Sequence, residues 1–171
     1  MTAFLNIPPP MARLFTRIDA AGATDPALKL ALDQWMARRN GHVLPFVRDF
    51  LNLPVNIAAI TFLAMPVPDG RDWHLDRVGA AAAEILKPDL QRTFVSGLKN
   101  RLVAVWLRRI LQLVSETEEP VAVLFDIAET EGQFEVEILA APITGDHRTE
   151  AIFCGSCAGK GNRIAWHLRA K

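Results

Sequence analysis

The stretch Trp73-His74-Leu75-Asp76-Arg77-Val78-Gly79-Ala80-Ala81-Ala82-Ala83-Glu84-Ile85-Leu86 decides how this chain is read. Alternation over 72–78 predicts a strand. Gly79 stops it, and the alanine run turns into a short helix that Pro88 ends. By the two-residue period, Trp73, Leu75 and Arg77 share one face and His74, Asp76 and Val78 the other. If the Trp73 face is the inner one, Arg77 points inward and needs a partner, because an unpaired buried charge is costly.

Working outward, the apolar run 57–65 predicts a buried strand. Pro66-Val67-Pro68-Asp69-Gly70 then turns the chain into 72–78, making a hairpin. Further upstream, Asp25-Pro26 reads as an N-cap with proline at the first helical position. Leu28, Ala31, Leu32, Trp35 and Met36 recur at helical spacing, Arg38 and Arg39 suit the last turn, and Gly41 suits a left-handed stop. Residues 25–40 are thus predicted as an amphipathic helix. Residues 1–24 read as an arm with a short helix near 10–20.

Downstream, a second short turn is expected at 90–97 and the longest helix over 100–117. Its stripe is Leu102, Val103, Trp106, Leu107, Ile110, Leu111 and Val114, and Glu118-Glu119-Pro120 ends it. Three strands follow. Val121, Val123, Phe125 and Ile127 alternate in the first. Phe134, Val136 and Ile138 face in from the second, with Gln133, Glu135 and Glu137 out. The third covers 148–156. Residues 158–171 form a basic tail. Antiparallel hairpins with helices gathered on one face make an α+β domain.

Half of the 171 residues are apolar, enough for one full core, and Lys+Arg and Asp+Glu are equal at 19 each. That balance argues against a general nucleic-acid binder. No apolar run reaches the ~20 residues of a membrane span. The first ten residues lack the charged start and apolar run of a signal peptide, so the expectation is a cytoplasmic protein.

The element order of two strands, short helices, a long helix and three strands resembles a PAS domain. More specifically, the chain is similar to single-domain bacterial PAS proteins with an N-terminal helical extension. The residues carrying the likeness are Leu32-Asp33-Gln34-Trp35, Gly41, Leu44-Pro45, Arg48-Asp49-Phe50, Arg77-Val78-Gly79 and Leu139-Ala140-Ala141-Pro142-Ile143. It covers roughly residues 25–157. Arg77 departs from the pattern, standing where an apolar residue is usual, and the stretch after Phe50 lacks the usual Asp-Pro. The resemblance implies a five-stranded antiparallel sheet curved around a cavity closed by short helices. It also implies dimerisation through the N-terminal helix, a signalling partner, and no catalytic residues.

The candidate chemistry is sparse. Trp106, Phe94, Phe125, Phe134 and Phe153 are the bulky residues expected to surround a cavity, and Arg77 would anchor a small, partly apolar ligand among them. No cysteine or histidine matches a flavin-adduct or haem motif, so no chromophore is assigned. Cys154-Gly155-Ser156-Cys157 is a C-x-x-C motif, but a structural zinc takes four ligands and this chain has two cysteines. In a strand running straight through 157 the two sulfurs would point to opposite faces, so Gly155 would have to break the strand for them to converge. A P-loop reading of 155–160 fails at Cys154 and Gly161. His42, His74, His147 and His167 are scattered, and no G-x-S-x-G turn supports a hydrolase. The sequence therefore points to a non-catalytic, dimeric sensory or regulatory domain that binds a small ligand, a signalling partner, or both. A zinc- or redox-dependent interaction protein built on Cys154 and Cys157 is the alternative.

Overall fold

A computed structural model describes residues 15–19, 25–41, 43–88, 93–129, 132–144 and 150–160. Its strands are β1 (Phe15–Asp19), β2 (Thr61–Pro66), β3 (Trp73–Asp76), β4 (Val121–Glu129), β5 (Gly132–Thr144) and β6 (Glu150–Lys160). Its helices are α1 (Pro26–Arg38), α2 (Val55–Ala58), α3 (Ala80–Leu86) and α4 (Arg101–Thr117), with 3-10 turns at Val47–Phe50 and Val95–Gly97. One antiparallel sheet runs in the order β1-β4-β5-β6-β2-β3. The expected five strands are all present, and β1, from the arm, adds a sixth at the β4 edge. Two strands, short helices, one long helix and three strands follow in the anticipated order, making an α+β domain around one antiparallel sheet.

Both faces of the sheet are covered. Against the inner face lie α3 and α4. Phe62, Ala64, Leu75, Val123, Phe125, Val136, Ile138, Ile152 and Cys154 pack there with Ala82, Leu86, Val103, Trp106 and Ile110. Against the outer face lie α1 and the Val47–Phe50 turn. There Leu28, Ala31, Leu32, Trp35 and Phe50 pack with Leu63, Ala122, Leu139, Ala141, Ile143 and Phe153. Strand residues of alternate parity serve the two layers, as the pleat requires.

The cap read from sequence at Asp25 is made, and Asn100 supplies a second one to α4. Asp25 Oδ1 accepts from the Ala27 and Leu28 amides, and Asn100 Oδ1 from those of Leu102 and Val103. α1 is anchored by Trp35, whose Nε1–H donates to the Pro142 carbonyl at 2.8 Å. Arg38 Nε donates to the Asp49 carbonyl at 2.9 Å, joining α1 to the 3-10 turn.

Several local expectations need correction. The arm residues near 15–19 are a strand, not a helix, because they have an open edge on β4 to pair with. α1 ends before Arg39, whose φ of −72° and ψ of 132° are extended, and Gly41 (φ 60°) instead turns the Asn40–Val43 bridge. Residues 57–60 are not strand: Ile57 and Ala58 amides donate back to the Pro54 carbonyl, closing α2. β6 runs on through Lys160, past the anticipated 156. Glu135 and Glu137, expected to face water, are buried, because the outer face they share carries a layer of its own. The Glu137 carboxylate accepts from the Asp25 amide at 3.5 Å.

The strand-to-helix hinge is held by backbone. Gly79 N–H donates to the Thr61 carbonyl, and the Ala81 and Ala82 amides share the Ala59 carbonyl. Helix α3 therefore begins directly against the α2–β2 junction, which explains why the chain coils at 55–58 before entering β2.

Candidate functional site

Arg77 lies outside β3, which ends at Asp76, and its side chain is exposed. Its φ of 50° is left-handed, so the two-residue alternation stops one position before it. The expectation that Arg77 points inward is therefore corrected. The Asp76 carboxylate accepts the Arg77 amide at 2.9 Å and stabilises the turn. Because a left-handed non-glycine residue costs about 1 kcal/mol, Arg77→Gly should leave stability equal or raised by up to about 1 kcal/mol. A melt more than that amount lower would show an unseen role for the side chain.

The five aromatic candidates do not converge. Trp106 and Phe125 pack together on the inner face, ring centroids 6.3 Å apart. Phe153 belongs to the outer face and lies against Phe50 at 4.5 Å. Phe94 is half-buried beside the edge strand β3, bridged to His74, with their rings edge-on at 5.4 Å. Phe134 holds the β5 position opposite Ile127 and Lys160, and its side chain lies outside the described residues. Only Trp106 and Phe125 are placed on one wall, and the reason is parity: position 153 is odd where 152 and 154 face in.

The edge of β3 has polar links of its own. His74 Nε2 and Thr93 Oγ1 are 3.1 Å apart, and the Leu75 amide donates to the Thr93 carbonyl. Asp72 binds the Ser96 hydroxyl and amide, with Arg108 of α4 3.7 Å away. Arg108 is about half exposed, so this pair is screened and adds little. These contacts fasten β3 to the Val95–Gly97 turn and to α4, and none leaves an activated nucleophile. Among the described residues no group of three His, Cys, Asp or Glu is placed to hold a metal ion.

β6 carries the motif Cys154-Gly155-Ser156-Cys157 without a break: its ladder to β5 continues from Glu150 through Lys160. Positions 154 and 157 thus have opposite parity along an unbroken strand, and the Cys157 side chain lies outside the described residues. Cys154 is fully buried in the inner layer, and burial pushes its thiol well above the ordinary range. The folded chain keeps that proton at pH values where the unfolded chain has lost it, so stability should fall as pH rises beyond the ordinary thiol value. Comparing denaturation of the wild type with Cys154→Ala across that range isolates the effect. The alkaline slope should be steeper in the wild type, and equal slopes would contradict the burial.

Sequence reasoning missed Ser156. It is wholly buried on the inner face, in phase with Ile152 and Cys154 and opposite Ile138. Its amide donates to the Ile60 carbonyl at 2.9 Å, but its hydroxyl has no hydrogen-bond partner among the described residues. A serine in phase with the apolar face of a strand was the available signal. Between Cys154 and Ser156, Gly155 faces the outer layer: a Cβ there would come within 2.8 Å of Leu28 Cδ2 in α1.

No protein-family model matches the chain, and no curated protein matches it. Among solved structures it is similar to an RNA-binding light-oxygen-voltage receptor, at 12% identity and a TM-score of 0.48. The match covers 91% of this chain and 42% of that one, so this chain spans less than half the receptor's length. No helix among the described residues is long and apolar enough to cross a membrane.

Proposed function

We propose that this PAS-like domain is a non-catalytic sensory or regulatory module. It takes a small ligand on the inner face of its sheet and answers through its outer face to a signalling partner. The observation that carries the reading is the Ser156 hydroxyl, fully buried and without a partner among the described residues. A buried hydroxyl left unpaired costs about 1–3 kcal/mol. A bound molecule that hydrogen-bonds to it removes that cost, which gives the folded state a reason to hold one.

The same strand supplies a path between faces. Ser156 and Cys154 look inward, and Gly155 between them touches Leu28 on the outer helix. A shift of β6 by a few tenths of an ångström is felt at the seat of α1, because close-packed layers transmit such changes. The inner side of α1 is committed to its own sheet, so dimerisation in this reading uses the side that exposes Leu30. In this reading the domain works in the cytoplasm and carries out no chemistry of its own.

Native mass spectrometry before and after denaturation tests the reading. A dimer with extra mass that is lost on denaturation, and absent from Ser156→Ala, is the expected result. An unloaded chain whose Ser156→Ala variant is more stable by about 1–3 kcal/mol would mean the hydroxyl is simply unsatisfied, and the ligand reading would fall.

A further inference from the structure

We infer that the inner face selects an electrically neutral, largely apolar molecule, held by a single hydrogen bond to Ser156 Oγ. This inference rests on the ligand reading above and names the chemical class. Among the described residues, the buried inner layer contains no Asp, Glu, Lys, Arg or His. The cation that the sequence placed there, Arg77, is exposed on the turn beyond β3. Cys154 contributes a protonated thiol, because burial holds its ionisation far from neutrality. Its only hydrogen-bonding contact among the described residues is a long one, 3.8 Å, to the Ile152 carbonyl two residues back.

An anion or cation entering this layer would lose its hydration with no opposite charge to replace it, a cost of several kcal/mol per ion. A neutral molecule avoids that cost and gains from apolar burial. The cross-strand neighbour of Ser156 on β5 is Ile138, and Phe62 of β2 stands opposite Cys154, so the side chains placed next to the hydroxyl are apolar and offer it no charge. The hydroxyl both donates and accepts, so the ligand's polar group is a hydroxyl, carbonyl or amide.

The test uses three probes of similar size against the full chain at pH 7: phenol, toluene and benzoate. Binding is followed by calorimetry and by the change in tryptophan fluorescence. Phenol should bind the wild type about tenfold more tightly than toluene, the ratio of one net hydrogen bond. In Ser156→Ala that preference should vanish while toluene affinity holds. Benzoate should bind at least tenfold more weakly than phenol in both. The phenol-to-toluene ratio in the wild type requires no variant, so a poorly folding Ser156→Ala leaves the test intact. Equal phenol affinity in wild type and variant would overturn Ser156 as the anchor while keeping the inner-face reading. Benzoate binding as tightly as phenol would overturn the neutral class alone. Failure of all three probes would overturn the inference together with the ligand reading beneath it.

Discussion

Gly79→Ala should destabilise the domain by about 3 kcal/mol or more, near the upper end of what overpacking costs. A Cβ at Gly79 would lie 2.1 Å from the Ala58 carbonyl oxygen and 2.4 Å from that of Ala59. Both are backbone atoms, so no side chain can swing aside. Relief requires moving α3 away from the α2–β2 junction, which breaks the bonds from Gly79 to Thr61 and from Ala81 and Ala82 to Ala59. Gly79 has φ −65°, comfortable for alanine, so the effect isolates the close approach. Gly70→Ala is the control: it sits in open space at φ 69° and should cost only about 1 kcal/mol of left-handed strain. Chemical denaturation of the two variants compares them directly. If Gly79→Ala unfolded at the wild-type midpoint, the hinge would not be packed as described.

The second large effect is expected at Trp35. Removing a fully buried tryptophan costs about 3–5 kcal/mol, and Trp35→Ala also leaves the buried Pro142 carbonyl without its indole donor. Arg39, stacked 5.1 Å from the Trp35 ring, loses its platform as well. Trp35→Phe keeps most of the apolar area and removes the hydrogen bond, so it should fall between wild type and alanine, about 1–3 kcal/mol below wild type. Hydrogen exchange locates the damage. Amides of α1 should lose protection first, because only the outer layer rests on this side chain. Unchanged protection over 26–38 in Trp35→Ala would show that α1 does not depend on this anchor.

Local signals in the sequence carried over well. Asp25-Pro26 marks a helix start because a capping side chain acts within three residues, and that cap forms; the equivalent cap at Asn100 was there to be read and was not. The alternation read over 121–127 and 134–138 matches the observed ladder, in which Phe125 pairs with Val136 and Val123 with Ile138. Features fixed by distant chain were not legible. The strand at 15–19 exists because β4 offers it an edge, and nothing inside those five residues says so. The burial of Glu135 and Glu137 follows from a second layer, whereas alternation alone assumes that one face is wet.

The candidate site was less legible than the fold, for the same reason. Parity tells which residues share a face but not which face meets which layer, and that ambiguity placed Phe153 beside Trp106. A single left-handed residue was enough to turn Arg77 out of the expected pattern. Ser156 went unnoticed because a small hydroxyl residue in a strand draws no attention until its burial is seen, with no partner for the hydroxyl among the described residues.

The strand order also bears on how the molecule is made. β2, completed by residue 66, lies between β3 and β6, and β6 begins only at residue 150. Trp35 reaches its carbonyl acceptor across 107 positions of chain. During synthesis the first half therefore emerges with its greasy helix face and one strand edge uncovered, and it stays so until the final strand slots into the middle. Such long-separation contacts slow folding, and exposed edges of this kind invite aggregation. A ribosome stalled before residue 150 should carry a chain that is bound by holdase chaperones and cut readily by protease, and release of the last strand should end both together.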